Sequence, residues 1–205
     1  MTPQERHTRA WRLAIAALVS TSIYNFGELL LHPILDTLST ASQSSSPNSQ
    51  TTPNHADDGW LRELLFAFNR GDLRSYDTLV AHISSHPILA QHKQHLAQKI
   101  HLSALTEAVF RRPTHERAMT FSDLSAETRI PLDEIEHLLM KALSLGLVRG
   151  TIDQVDGVAL ITWVQPKVLD MKQIESMRQR LLDWDSSVNQ LGHWIESAGK
   201  DVWAA

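Results

Sequence analysis

Cysteine is absent from the 205 residues, which excludes a disulfide scaffold and thiolate chemistry and fits a reducing compartment. No apolar run approaches the roughly 18 residues that a membrane-spanning helix requires. The apolar stretch 13–19 follows Glu5, Arg6, Arg9 and Arg12, which sit in a helical pattern with Trp11. That pattern reads as an amphipathic helix over 5–19 and not as a signal peptide. Catalytic signatures are missing too. There is no G-x-S-x-G, no G-x-x-x-x-G-K-[ST], no G-x-G-x-x-G and no H-E-x-x-H. Nor is there an excess of positive charge: the formal net charge of -4 offers nucleic acid no general attraction.

Histidine, by contrast, is plentiful, with 11 in the chain. His82 and His86 are four apart, but the break into Pro87 spoils a shared helical face. His92 and His95 are three apart, with His101 further on, and no nearby carboxylate supplies a third ligand. They read as histidines on polar helix faces. Glu134 and Glu136 point to different faces of their helix and make poor acid–base partners, and Glu127 reads as a surface carboxylate. The expectation is a chain with no catalytic residues, no metal site and no cofactor.

Helical periodicity dominates what is present. A unit over 22–38 carries Phe26, Leu29, Leu30, Ile34, Leu35 and Leu38, with Asn25 and Glu28 at capping-box spacing and Pro33 bending or interrupting it. From 39 to 58 Ser, Thr, Asn, Gln and Pro take over, and the segment reads as a flexible polar loop. Helices resume at Trp60, with a stripe of Trp60, Leu61, Leu64, Leu65 and Phe68. Asp72 caps the next helix, which carries Leu73, Tyr76, Leu79, Val80 and Ile83. A short helix follows Pro87, then a longer one over 92–112 with Leu96, Ile100, Leu105 and Val109. Short helix pairs in series predict a helical solenoid.

Residues 121–164 predict a winged helix. Ser122 is placed to cap a short helix, 128–130 form the turn, and Pro131 opens a second helix with Ile135, Leu138, Leu139, Ala142 and Leu143 on one side. Gly146 ends it. Strands are expected over 147–152 and 158–164, joined at Asp156-Gly157. Asp133, Glu134 and Glu136 occupy the start of the helix that would read DNA, and Asp153 and Asp156 the wing, against Lys141 and Arg149. Carboxylates there suit the helix dipole and repel phosphate, so specific nucleic-acid binding is not expected.

The last segment carries Ile174, Met177, Leu181, Trp184, Val188, Leu191 and Ile195 at spacings of 3 and 4, a heptad seam with Trp194 and Trp203 widening the apolar surface near its end. A long helix folding back on its own domain would use such a seam. The preferred expectation is a helix that bundles with helices of other chains, because the winged helix already closes its own small core.

The expected organisation is therefore mainly α: helical repeats over 1–38, a polar loop over 39–58, further repeats over 59–112, a winged helix over 113–167, and a long helix with its tail over 168–205. Helical repeats running into a winged helix resemble the PCI domain family. Four stretches carry the resemblance: Ile23-Tyr-Asn-Phe-Gly-Glu-Leu-Leu-Leu-His-Pro-Ile34, Trp60-Leu-Arg-Glu-Leu-Leu-Phe-Ala-Phe-Asn-Arg-Gly-Asp-Leu73, Ile130-Pro-Leu-Asp-Glu-Ile-Glu-His-Leu-Leu139 and Gly146-Leu-Val-Arg-Gly-Thr-Ile-Asp-Gln-Val-Asp-Gly157. The last two are general to the superfamily. The first two point to its members in the lid of the 26S proteasome, ahead of those in the COP9 signalosome or the large translation initiation complex. The resemblance implies a non-catalytic scaffold of ubiquitin-dependent degradation in cytoplasm and nucleus. It implies hetero-oligomeric assembly with PCI and MPN subunits of the lid and no small-molecule ligand. It also implies that Ile152, Val158, Leu160 and Trp163 support the hairpin and leave an edge for a neighbour, while the seam residues 174–195 form the bundling helix. Family members of this kind are longer upstream, so a partial or truncated chain with one uncovered repeat face is expected.

Overall fold

The computed structural model describes residues 2–38, 58–113, 116–168 and 171–199. They belong to two compact units, Met1–Lys167 and Val168–Ala205. The first is mainly helical with a small antiparallel sheet, and the second is a long helix.

Helix α1 (Pro3–Val19) starts at a reciprocal cap. Thr2 Oγ1 accepts from the Glu5 amide at 3.3 Å, and the Glu5 carboxylate accepts from the Thr2 amide at 3.0 Å. The segment expected as one helical unit over 22–38 is broken in two. A single turn, α2 (Gly27–Leu30), is followed by a 3₁₀ helix over Pro33–Leu38. Pro33 has no N–H to continue the α-helical ladder, which accounts for the break. The capping box does not form either: Asn25 Oδ1 accepts from Gly27 N, only two residues on, at 3.2 Å. The apolar residues are nonetheless used, with Phe26, Leu35 and Leu38 fully buried. The expected polar loop lies, but for Asp58, outside the described residues.

Helices α3 (Gly59–Arg70), α4 (Leu73–Ser85), α5 (Pro87–Gln91) and α6 (Lys93–Arg111) follow. All five stripe residues of α3 are buried. Asp72 caps α4 as its spacing suggests, accepting from Arg74 N at 3.0 Å and Ser75 N at 3.3 Å. Between them Gly71 has φ +65, and a Cβ there would stand 2.7 Å from both Ala104 Cα and Ser103 O of α6. Only glycine meets both demands, so this turn can press against α6.

Helix α6 is a wall shared by two cores. Leu96, Ile100 and Ala104 pack with α1, the 3₁₀ helix, α3 and α4, while Leu102, Leu105, Ala108 and Val109 pack with the winged helix. A helix that is apolar on two sides is buried on two sides.

The winged helix contains β1 (Ala118–Thr120), α7 (Phe121–Thr128), α8 (Leu132–Ser144), β2 (Val148–Asp153) and β3 (Val158–Val164). The expected cap at Ser122 is corrected: Thr120 Oγ1 accepts from Asp123 N at 3.2 Å, and Ser122 lies within the first turn, its hydroxyl 2.9 Å from that of Thr120. The short strand before α7 holds Thr120 in extended backbone, which is the geometry a cap needs. The hairpin turn is longer than the pair Asp156-Gly157 alone. Residues 154–157 connect the strands, Asp153 Oδ1 accepts from Val155 N and Asp156 N, and Gly157 supplies φ +62. Strand order is β1-β3-β2, all antiparallel. Ile135, Leu138, Leu139 and Ala142 of α8 are buried beneath the sheet with Ala159 and Ile161.

Helix α9 (Met171–Ala198) runs for 28 residues, and Trp203 lies outside the described residues.

Candidate protein-interaction surfaces

The hairpin places its four expected residues differently from one another. Ile152 is half-buried and packs against the winged-helix core. Val158 is half-buried and central, paired with Asp153 of β2 on one side and Thr120 of β1 on the other. Leu160, opposite Thr151 and Ala118, is 49% exposed. Trp163 lies opposite Arg149, whose guanidinium stands 4.7 Å from the ring centroid. The ladder slips between Arg149 and Gly150, so that Gly150 pairs with Ile161 and Thr162 is the extra residue. That slip turns Val164 toward the core and Trp163 away from it, joining Leu160 on the outer face. Gly150 permits the slip: a Cβ there would lie 2.1 Å from Leu160 O. Because β3 is central, the hairpin's free edge is that of β2.

On α9 all seven seam residues are exposed, as are Leu182 and Trp194. This is a large uncovered apolar surface for one helix, and such surfaces mark sites of association. Glu175 of α9 takes a bidentate bond from Arg178, one turn on, which holds its carboxyl below the usual range.

The helix start that would face DNA remains acidic and exposed. Glu136 accepts from Gln154 of the wing at 2.9 Å, and Lys141 is engaged by Gln98 at 2.6 Å. Three of the histidines singled out from the sequence have structural partners. His82 and His86 both stack on Trp60, with ring centroids 5.7 and 4.9 Å away, and His101 bonds the Thr128 carbonyl at 3.0 Å. Among the described residues no group of three or more His, Cys, Asp or Glu is placed to hold a metal. No described helix is long and apolar enough to cross a membrane.

Two charged residues that sequence reasoning passed over organise the first unit. Lys99 is fully buried on α6 and donates to the carbonyls of Ala17 (2.9 Å), Leu18 (3.1 Å) and Ser20 (2.7 Å). The Ala17 and Leu18 carbonyls are among those that the end of α1 leaves without helical partners, Ser20 is its C-cap, and a cation there also suits the helix dipole. Tyr24 and Phe26 flank the ammonium at 5.3 and 5.0 Å. Burial pushes its pKa down to about 8. Lys167, the last residue of the unit, donates to the Asn69 carbonyl at 3.1 Å and pairs with buried Glu107 of α6, tying the exit from β3 to the repeats. The signal for Lys99 was its place on the stripe of Leu96, Ile100 and Ser103, where an unpaired lysine would not be tolerated.

A winged helix built onto helical repeats through one shared helix is the architecture of a PCI module. The family described as PCI domain matches residues 73–163, PSD13 N-terminal repeats match 1–46, and the Rpn9 C-terminal helix matches 167–199. The 26S proteasome regulatory subunit RPN9 of Saccharomyces cerevisiae is 42% identical over 204 residues, covering 99% of this chain and 48% of that protein. A probable 26S proteasome regulatory subunit rpn9 of Schizosaccharomyces pombe is 40% identical over 95% of this chain and 47% of its own length. The 26S proteasome non-ATPase regulatory subunit 13 of Dictyostelium discoideum is 38% identical over 98% and 50%. The chain is a PCI-domain protein, closely related to the proteasome lid subunits of the RPN9 and non-ATPase regulatory subunit 13 family. It spans about half the length of the curated relatives it matches.

Proposed function

We propose that this chain is a non-catalytic structural subunit of the lid of the 26S proteasome regulatory particle, acting in ubiquitin-dependent protein degradation in cytoplasm and nucleus. Its partners on this reading are other PCI subunits and MPN subunits of the lid. The winged helix supplies an edge and an outer face, with Ile152 and Val158 supporting the hairpin and Leu160 and Trp163 presented outward. The seam of α9 enters a bundle of helices from several chains. The observation that carries the reading is the 42% identity sustained across 99% of the chain, repeats, winged helix and seam included. An uncovered seam adds a physical reason for assembly, because seven apolar side chains on one helix gain from burial.

Affinity capture of the tagged chain from native extract, with mass spectrometry and a particle-size profile, tests this. Recovery of lid and base subunits in one large particle is the expected result. Recovery of signalosome or initiation-complex subunits instead would reassign the module to another PCI assembly.

A further inference from the structure

The seam of α9 has a second property, in the charges beside it. Taking Ile174 as position a of a heptad, positions a are Ile174, Leu181, Val188 and Ile195, and positions d are Met177, Trp184 and Leu191. Three of the four a residues are β-branched, which together with leucine at d favours two parallel strands, and Leu191 supplies one such d position. Arg180 then occupies a g position and Asp185 the following e position, both on exposed parts of α9. In a parallel pair of identical helices, g of one strand lies against the following e of the other. Arg180 of each copy therefore meets Asp185 of the other, twice over by symmetry. An antiparallel pair overlapping along the full seam instead sets Asp185 near Asp185 of the second copy, which is repulsive.

We propose that α9 forms a parallel two-stranded coiled coil with a second copy of this chain, its seam in register and flanked by two Arg180–Asp185 pairs. Arg180 exchanges its contact within the chain for the one across the interface, and Asp185 releases Asn189, which it holds at 3.2 Å. The seam from 174 to 195 is about 33 Å long, enough for a specific but reversible dimer. Self-association then protects the seam when no other helices cover it and competes with them when they arrive. This inference uses the same helix as the proposed lid assembly but does not depend on that assembly.

The test is sedimentation equilibrium of the full 205-residue chain over a range of micromolar concentrations, with charge reversals. Arg180→Glu and Asp185→Arg should each weaken the dimer severalfold, and the two together should restore it, because both pairs are then re-formed with signs exchanged. Val188→Asp should give a monomer with unchanged circular dichroism. Since the chain has no cysteine, Leu181→Cys introduces a single thiol, and oxidation should yield a covalent dimer only if the helices are parallel and in register. A monomer throughout the range, an aggregate, a dimer that survives Val188→Asp, or a double reversal that fails to recover would each overturn the proposal. None of those outcomes changes what affinity capture from extract would recover, so the two readings fail separately.

Discussion

Lys99 Nζ stands 2.7 Å from the Ser20 carbonyl oxygen, and with the Ala17 and Leu18 carbonyls that contact closes the end of α1 from a different helix. Replacement by Met keeps the volume of the stem and removes all three bonds, leaving carbonyls buried without partners. A loss of about 2–4 kcal/mol is expected, read from the denaturant midpoint at unchanged slope.

The same lysine gives stability a dependence on pH. Its folded pKa of about 8 lies below the unfolded value of 10.5, so between those values the unfolded chain binds more protons. Stability therefore rises with pH across that window and is lowest, for this group, where both states are protonated. Between about pH 7.5 and pH 9.5 the difference in unfolding free energy between the native chain and Lys99→Met should widen in favour of the native chain. A difference that stays flat would mean that the carbonyls and the rings of Tyr24 and Phe26 hold the ammonium charged as firmly as water does.

Gly150→Ala tests the hairpin. The new methyl would meet Leu160 O and the Ile161 backbone, which belong to the central strand and cannot swing aside. About 2 kcal/mol or more should be lost, with amide exchange accelerating first in β2 and β3. A change small enough to leave exchange in the sheet untouched would mean that the slipped register is not fixed by this residue.

The joint between the exit from β3 and the repeats rests on Lys167 and Glu107. Removing Lys167 leaves the buried Glu107 carboxylate with the exposed Arg111 at 3.3 Å, and should cost about 3 kcal/mol. Removing both charges, Lys167→Met with Glu107→Gln, should cost less than the sum of the single changes. A double-mutant cycle showing strict additivity would contradict the pairing.

Much of this was readable from residue order. The stripes of α3, α4 and α8 are periodic and long enough to declare themselves, Asp72 announces a cap by type and spacing, and strand β3 has the bounds its residues suggest. The heptad seam was legible as a surface because nothing else in the sequence is so regular. What escaped was set by tertiary context. Strand β1 is three residues long and exists by pairing with β3, so no local pattern marks it. The cap at Thr120 in place of Ser122 follows from that strand. The break of 22–38 into two short turns reflects Pro33 and the packing of Phe26, Leu35 and Leu38 into a core assembled from distant helices. Lys99 offers only its place on an apolar stripe, and Lys167 offers no signal, until partners 82 and 60 residues away are placed beside them.

The most direct test of the central claim pairs Leu181→Asp with Leu191→Asp in one tagged chain and compares its capture with that of the native sequence. Both residues lie exposed on the seam, and neither belongs to either core of the first unit. The native sequence should enter a lid-sized particle and the double variant should not, while circular dichroism and the melting of the first unit stay unchanged. Equal recovery of both chains in the particle, or global unfolding of the variant, would contradict that claim.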